Sequence, residues 1–297
     1  MTSPLNLPAC PLCAHDAAQL SFSKNGFDIY RCRHCGFGFV HPPPADTRSV
    51  YSVDYFAGAT RGFGYVDYEA DKVAMRPFFE AVLARIERYL PRRGMLLDVG
   101  AATGFFLKLA RERGWRISGV EISPHAASIA GRAGLPVAAG ALETHPLPAA
   151  SFDAVTLLDV VEHVSDPGAM IRRCLKLLRP GGILAINTPD TASAWARIFG
   201  SRWHAYCPPE HLSYFSVRNL GELLGSNSFE VLACAKIGKR FTPAYICSML
   251  YRWQGLGVWK RLERLFLRPP FDRIAVPLNI RDNFFVIARK AGNTRGG

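Results

Sequence analysis

Apolar positions recur at helical spacing over residues 67–90, where Val73, Phe78, Val82, Ile86 and Leu90 mark one face before Pro91. Downstream, short apolar runs alternate with helical segments. The runs Met95–Val99, Arg116–Val120, Phe152–Leu158, Ile183–Asn187, Phe229–Ala235 and Phe284–Ala288 read as strands. Helices are expected over Phe105–Arg113, from Ser123-Pro124 onward, from Asp166-Pro167 to Leu178, and over 217–226 behind a Ser216 cap. Such alternation predicts a doubly wound, mainly parallel α/β sheet. No repeat of fixed period is visible.

Residues 1–45 break this pattern, being rich in Cys, Pro and Gly and ending at His41-Pro42-Pro43-Pro44. They contain two CxxC pairs, Cys10 with Cys13 and Cys32 with Cys35, separated by 18 residues. Four thiolates at this spacing can converge tetrahedrally on one zinc ion. A unit this small needs such a metal to fold, and four thiolates leave no open position, so the expected zinc is structural. His15, His34 and His41 lie nearby but are not needed as ligands. The remaining cysteines, 174, 207, 234 and 247, are scattered and read as small hydrophobes. Residues 46–66, aromatic and Gly-rich, read as a connecting segment ahead of the leading helix, giving a ribbon over 1–45, a connection over 46–90 and a catalytic domain over 91–297.

The length of 297 residues and a hydrophobic content of 49% allow one large core plus a small module. Neither a membrane-spanning run nor a basic and apolar leader is seen, which makes the cytoplasm the expected compartment. The net charge of +12 is unevenly placed. Residues 1–235 carry 23 Lys and Arg against 21 Asp and Glu, whereas residues 236–297 carry 13 against 3. Within that tail, over 244–268, Trp259, Leu262, Leu265 and Phe266 share one helical face, while Lys260, Arg264 and Arg268 recur on another. This predicts an amphipathic helix inserted before the last strand, either packed on the core or in peripheral contact with the inner membrane face.

The segment Asp98-Val99-Gly100-Ala101-Ala102-Thr103-Gly104 joins a strand to a helix, with glycines placed for close approach of a ligand. Glu121-Ile122 ends the next strand with a carboxylate able to accept hydrogen bonds from the hydroxyls of an adenosine ribose. The GxGxxG spacing of a dinucleotide site is absent. Together with Ser151–Val155 running to Glu162-His163-Val164, and with Leu178-Arg179-Pro180-Gly181-Gly182-Ile183-Leu184, this segment resembles the class I S-adenosylmethionine-dependent methyltransferases. The resemblance covers residues 67–236 and the last strand, and implies a seven-stranded Rossmann-like fold with S-adenosyl-L-methionine as cofactor. It further implies that Asp98, Gly100, Ala101, Gly104, Glu121 and Ile122 line the cofactor, that Ala141 and Leu142 flank its adenine, and that Asp159 lies near its methionine end. Ala101 and Ala102 stand where Cys-Gly or a second Gly is frequent in that family.

Methyl transfer leaves the protein to align, desolvate and often deprotonate the acceptor. Two places offer a base: Glu162-His163, and the loop from Trp203 to Ser216, which concentrates His204, Tyr206, Glu210, His211 and Tyr214. With the ribbon, the Glu210–Ser216 segment resembles the sugar C-methyltransferase group. That likeness implies His211 as base, Glu210 orienting it and Tyr206 or Tyr214 assisting; His163 is the alternative. The basic insertion is also similar to one in ubiquinone-type O-methyltransferases, which implies a lipid-linked acceptor as an option. The expected activity is therefore C- or O-methylation of a small-molecule, sugar or lipid-linked acceptor. The rival reading, a nucleic-acid or protein methyltransferase gripping its substrate by the ribbon, is disfavoured. Residues 1–50 hold four basic residues against three acidic ones, too even a balance for a phosphate grip.

Overall fold

The structure, a computed structural model, describes residues 7–45, 72–271 and 274–292. The connecting segment 46–66 and the expected start of the leading helix lie outside the described residues. Along the chain, β1 (Ala18–Lys24), β2 (Phe27–Cys32) and β3 (Gly38–Val40) precede α1 (Arg76–Glu87). Then come β4 (Met95–Val99), α2 (Phe105–Glu112), β5 (Arg116–Glu121), α3 (Pro124–Arg132), β6 (Val137–Ala139), β7 (Phe152–Leu158) and α4 (Pro167–Leu177). The remainder is β8 (Leu178–Pro189), α5 (Ala194–Phe199), β9 (Ser213–Tyr214), α6 (Val217–Ser226), β10 (Phe229–Ala235), β11 (Lys239–Phe241), α7 (Pro243–Gln254), α8 (Gly257–Phe266), β12 (Val276–Leu278) and β13 (Asn283–Lys290).

The main sheet has seven strands in the order β10-β13-β8-β7-β4-β5-β6. Its pairs β4–β5, β5–β6 and β7–β8 are parallel, and β13 runs antiparallel to both β8 and β10. The expected doubly wound sheet is present. Helix starts follow their caps: the Asp166 carboxylate accepts from Ala169 N–H, and Ser216 with Asn219 forms a capping box.

The chain divides into two compact units. One comprises residues 1–47, 142–235 and 282–297. It holds the N-terminal sheet, whose order is β1-β2-β3-β9. The ribbon is therefore not closed within residues 1–45: its fourth strand comes from Ser213–Tyr214, paired as Gly38 with Tyr214 and Phe39 with Ser213. The same unit carries β7, β8, β13 and β10 of the main sheet, and Ile183–Ile186 of β8 is fully buried. Strand β8 starts at Leu178, five residues before the expected Ile183, because Gly181 at φ 75° lets the chain turn without leaving the sheet.

The other unit comprises residues 48–141 and 236–281. Its core includes Val82, Leu83 and Ile86 of α1, Leu96 and Leu97 of β4, and Leu107 and Ala110 of α2, all essentially inaccessible to solvent. The single amphipathic helix expected over 244–268 is instead a helical hairpin. Gly255, at φ 73°, ends α7 in the left-handed region, and the extended Leu256 starts α8. Trp259, Leu262 and Phe266 of α8 are half-buried, as the periodicity implied, whereas Leu265 is exposed.

Candidate active site

In the second unit, the loop after β4 turns tightly from strand into helix. Gly100 and Ala101 both donate to the Val120 carbonyl, at 2.8 and 3.2 Å. Gly104 takes φ 85°, and a side chain there would run into Leu135. Asp98 is buried on β4. Glu121, 5% exposed, ends β5 with both carboxylate oxygens engaged. One accepts from Ala102 N–H at 2.8 Å and the other from Ser123 N–H at 2.8 Å. The carboxylate is thus fixed by main-chain donors, and a carboxylate oxygen can accept more than one hydrogen bond. The side-chain hydroxyls of Thr103 and Ser123 are buried in the same unit with no hydrogen-bond partner. Ile122 and Ala141 are half-buried there, the latter just past β6.

Asp159 and Leu142 belong to the first unit. Asp159 sits just beyond β7 at φ 57°, a conformation Asp tolerates better than most residues. Asn187 at the facing point of β8 donates its amide to the Asp159 carboxylate, and Asp159 N–H donates back to the Asn187 carbonyl. Leu142 is buried beneath the Arg173 guanidinium, which donates to its carbonyl.

Two steps further along, a single turn of 3-10 helix at Val161–His163 brings Glu162 and His163 against His211. The donor atoms of these three side chains lie within 4.8 Å of one another. His163 Nδ1 donates to the Glu210 carbonyl at 2.8 Å, and His211 Nδ1 donates to the Ala205 carbonyl at 2.8 Å. A carbonyl can only accept, so Nδ1 carries a proton in each ring. Glu162, buried, accepts from the Thr188 hydroxyl at 2.9 Å. Burial, reinforced by the charge of Asp159, pushes its carboxyl up to about 7. Burial, reinforced by His163, pushes His211 down to about 3, so its imidazole is neutral across the physiological range.

The structure places the loop residues in the following contacts. Glu210 orients His163 through its main-chain carbonyl, while the orientation of His211 comes from Ala205. Tyr214 is buried, its hydroxyl donating to the His211 carbonyl at 2.8 Å and its phenol held far above its ordinary range by burial. Tyr206 packs edge-on against Phe22, Trp203 and Tyr214. Both tyrosines thus pack within the first unit. Sequence reasoning gave no part to Thr188, Asn187 or the Ala205 carbonyl. Thr188 and Asn187 could be suspected from their place at the carboxyl end of a strand, whereas a main-chain carbonyl leaves no trace in residue type.

The ribbon sulfurs form a compact set in the first unit. Cys10 and Cys35 Sγ are 3.7 Å apart, as are Cys13 and Cys32 Sγ, and all four lie within 4.8 Å. Two thiolates on one tetrahedral zinc at ~2.3 Å would stand about 3.8 Å apart. That spacing is far too long for disulfides and fits a shared ion.

A family model for a methyltransferase domain matches residues 72–233. The chain belongs to that family. Among curated members, the ubiquinone biosynthesis O-methyltransferase of Xanthomonas axonopodis pv. citri is 32% identical over 145 residues, 46% of this chain and 59% of that protein. The malonyl-[acyl-carrier protein] O-methyltransferase of Serratia marcescens is 31% identical over 115 residues, 36% of this chain and 45% of that protein. The match spans little more than half the length of the first of these relatives and less than half of the second. The fold of this methyltransferase-family chain is similar to that of Burkholderia thailandensis 1,6-didemethyltoxoflavin-N1-methyltransferase, solved with 1,6-didemethyltoxoflavin and S-adenosylhomocysteine. That match has a TM-score of 0.51 at 19% identity, covering 92% of this chain and all of the other.

Proposed function

We propose that this methyltransferase-family chain transfers a methyl group from S-adenosylmethionine to a small-molecule acceptor, with His211 as the base. The observation that carries the reading is the pair of ligand-ready features in its two units: Glu121 fixed by main-chain donors, and His211 fixed with Nε2 unprotonated. S-adenosylmethionine, when bound, supplies an electrophilic methyl carbon and a neutral thioether leaving group. Glu121 would hold its ribose, and the unpartnered Thr103 and Ser123 hydroxyls suit a polar ligand at the same loop. His211 Nε2 accepts the proton that the acceptor's hydroxyl or carbon must lose. The ionised Glu162 stabilises the resulting imidazolium, which offsets the loss of basicity that burial causes. The Xanthomonas relative is named for O-methylation in ubiquinone biosynthesis and the Serratia relative for O-methylation of a malonyl group on acyl-carrier protein, which supports a small acceptor group, free or carried.

A bound zinc ion completes the proposal, held by Cys10, Cys13, Cys32 and Cys35 as a structural element. The ribbon then serves as a brace for the loop that carries His211. Val40 N–H donates to the Leu212 carbonyl, Asn25 donates to the Pro208 carbonyl, and Lys24 donates to the carbonyls of Ser201 and Trp203. These contacts support a positioning role over substrate recognition. The test is calorimetric titration with S-adenosylhomocysteine, followed by transfer of a labelled methyl group to an extracted pool of small metabolites. Binding with labelled product supports the reading. Saturable transfer only to RNA or protein would replace it with the macromolecular one.

A further inference from the structure

In the first unit, His204 faces a buried acid at the carboxyl end of β8. Asp282, 4% exposed, immediately precedes β13, whose first residue, Asn283, pairs with Pro189 at the end of β8. The Asp282 carbonyl accepts from Asp190 N–H at 2.7 Å, and its Oδ1 accepts from the Asn283 amide at 3.2 Å. Oδ2 lies 3.3 Å from His204 Nε2 but has no hydrogen-bond partner among the described residues. In an acid–base dyad the carboxylate fixes the ring tautomer through an aligned N–H donor. Here that alignment is missing and charge remains. A buried carboxylate oxygen without a donor is costly unless a cation stands beside it, and the imidazolium of His204 is that cation.

The ring is also presented outward. Trp203 and Ala205, 1 and 2% exposed, anchor the chain on either side of it, while the His204 side chain is 39% exposed. Two more cations mark the same turn: the Lys24 ammonium, on the carbonyls of Ser201 and Trp203 at 2.9 and 3.3 Å, and the exposed Arg202. These three outnumber the two buried acids, Asp282 and Asp190, the second of which turns its Oδ1 to Ala192 N–H. His204 shares the Trp203–Ser216 loop with His211 and is near enough for its charge to help keep His211 neutral. Ligands of open α/β sheets bind outside the carboxyl ends of the strands. We infer that His204, held charged by Asp282, binds the methyl acceptor, and that this acceptor carries an anionic group such as a carboxylate or phosphate. Asp282 is then a positioning residue. The inference rests on the transferase reading and adds the charge of its substrate.

The experiment divides an extracted pool of small metabolites on an anion exchanger and offers each part to the full chain with labelled S-adenosylmethionine. Acceptor activity should be found in the retained, anionic part. With that part as substrate, H204Q should raise the amount needed for half-maximal transfer by roughly tenfold or more, with the maximal rate changed by less than about threefold. H204R, which keeps the charge, should stay within about threefold of the native chain in both quantities. Calorimetry with S-adenosylhomocysteine should give one affinity for all three chains, and matching circular dichroism melts establish that they fold. Acceptor activity confined to the unretained part would overturn the inference and leave the transferase reading in place. So would an unchanged half-saturating amount in folded H204Q, or an H204R that behaves as H204Q does, since the ring and not its charge would then matter. Transfer from neither part, by a chain that binds S-adenosylhomocysteine, would remove the transferase reading and this inference with it.

Discussion

The rings of His163 and His211 meet edge to edge-face, centroids 4.7 Å apart at 82°, each with Nδ1 tied to a main-chain carbonyl. Burial, with His163 beside it, keeps His211 neutral and its Nε2 without a proton. His211→Gln should therefore leave S-adenosylhomocysteine affinity unchanged while lowering turnover by roughly 100-fold or more, if proton transfer limits the rate. His163→Gln should lower turnover less, by roughly tenfold. Steady-state kinetics with calorimetry decides between the rings. If His163→Gln abolished turnover and His211→Gln spared it, the base would be His163.

Glu162 supplies the pH dependence. His211, held down to about 3, stays neutral from pH 5 to 8, so its own titration is not seen there. Glu162, pushed up to about 7 by burial, is protonated and neutral below that value and anionic above it. A mechanism that needs the anion to stabilise an imidazolium should thus show kcat/KM rising with pH through about 7. In Glu162→Gln the rate should be low and nearly flat over the same range. A native profile that falls with rising pH would contradict the role given to the carboxylate.

Most of the sheet was legible because burial on both faces writes nearly continuous apolar runs, as at Ile183–Ile186 and Phe284–Ala288. The tight turn after β4 was legible because Gly100 and Gly104 need φ values that other residues resist. The ribbon was legible through cysteine spacing, but its fourth strand was not. Ser213–Tyr214 is only two residues long and pairs with β3 across a wide gap in sequence, which no local pattern announces. The helical hairpin was missed at Gly255, because α7 and α8 each continue the same periodicity and only the left-handed turn separates them. In the Glu162, His163 and His211 cluster, the two histidines stood out by residue type. Their orientation depends on the carbonyls of Glu210 and Ala205, which sequence does not record.

The four sulfurs predict about one zinc per chain by metal analysis under reducing conditions. Removing it with a strong chelator, or by Cys13→Ser, should destabilise the first unit by several kcal/mol, on the order of the energy a structural zinc contributes. Turnover should fall with the metal, since the ribbon holds the loop at Pro208 and Leu212. Cofactor affinity in the second unit should change far less. A metal-free chain that melts at the native temperature would refute the structural zinc.

Glu87 anchors α1 to the segments that follow it. Its carboxylate accepts from Arg113 Nε at 2.9 Å and from Trp115 Nε1 and Arg93 at 3.1 Å, with a second short contact to Arg113. Burial alone would raise it, but these donors outweigh burial and hold it down to about 2, against an ordinary 4.5. A carboxyl depressed in the folded state contributes stability above pH 4.5 and loses it as pH falls towards 2. The displacement corresponds to about 3 kcal/mol at most. Screening at the 33 and 48% exposed guanidiniums of Arg113 and Arg93 reduces it to about 1–2 kcal/mol. Glu87→Gln should cost about that much at pH 7 by denaturant unfolding, with the difference vanishing near pH 2. A cost unchanged by acid would show that shape, and not charge, holds this junction.

Glu121 offers the sharpest test of the cofactor site, because two distinct roles meet in one carboxylate. It fixes the loop by accepting from Ala102 and Ser123, and it is the acceptor proposed for the ribose. Glu121→Ala removes both and leaves buried N–H groups unpaired, so lost affinity alone would not separate them. Glu121→Gln separates them, since its one carbonyl oxygen can still accept while its amide cannot. Against S-adenosylhomocysteine, Glu121→Ala should weaken binding by about 1.5–3 kcal/mol and Glu121→Gln by somewhat less. The two should differ more clearly in stability, with Glu121→Ala melting lower because two main-chain donors lose their partner. Comparing S-adenosylhomocysteine with its 2′-deoxy analogue closes the test. If the carboxylate holds the ribose, the native chain should discriminate between them and both variants should largely lose that preference. Discrimination retained in a folded Glu121→Ala chain would place the ribose contact on other residues and leave Glu121 a structural clamp of the loop.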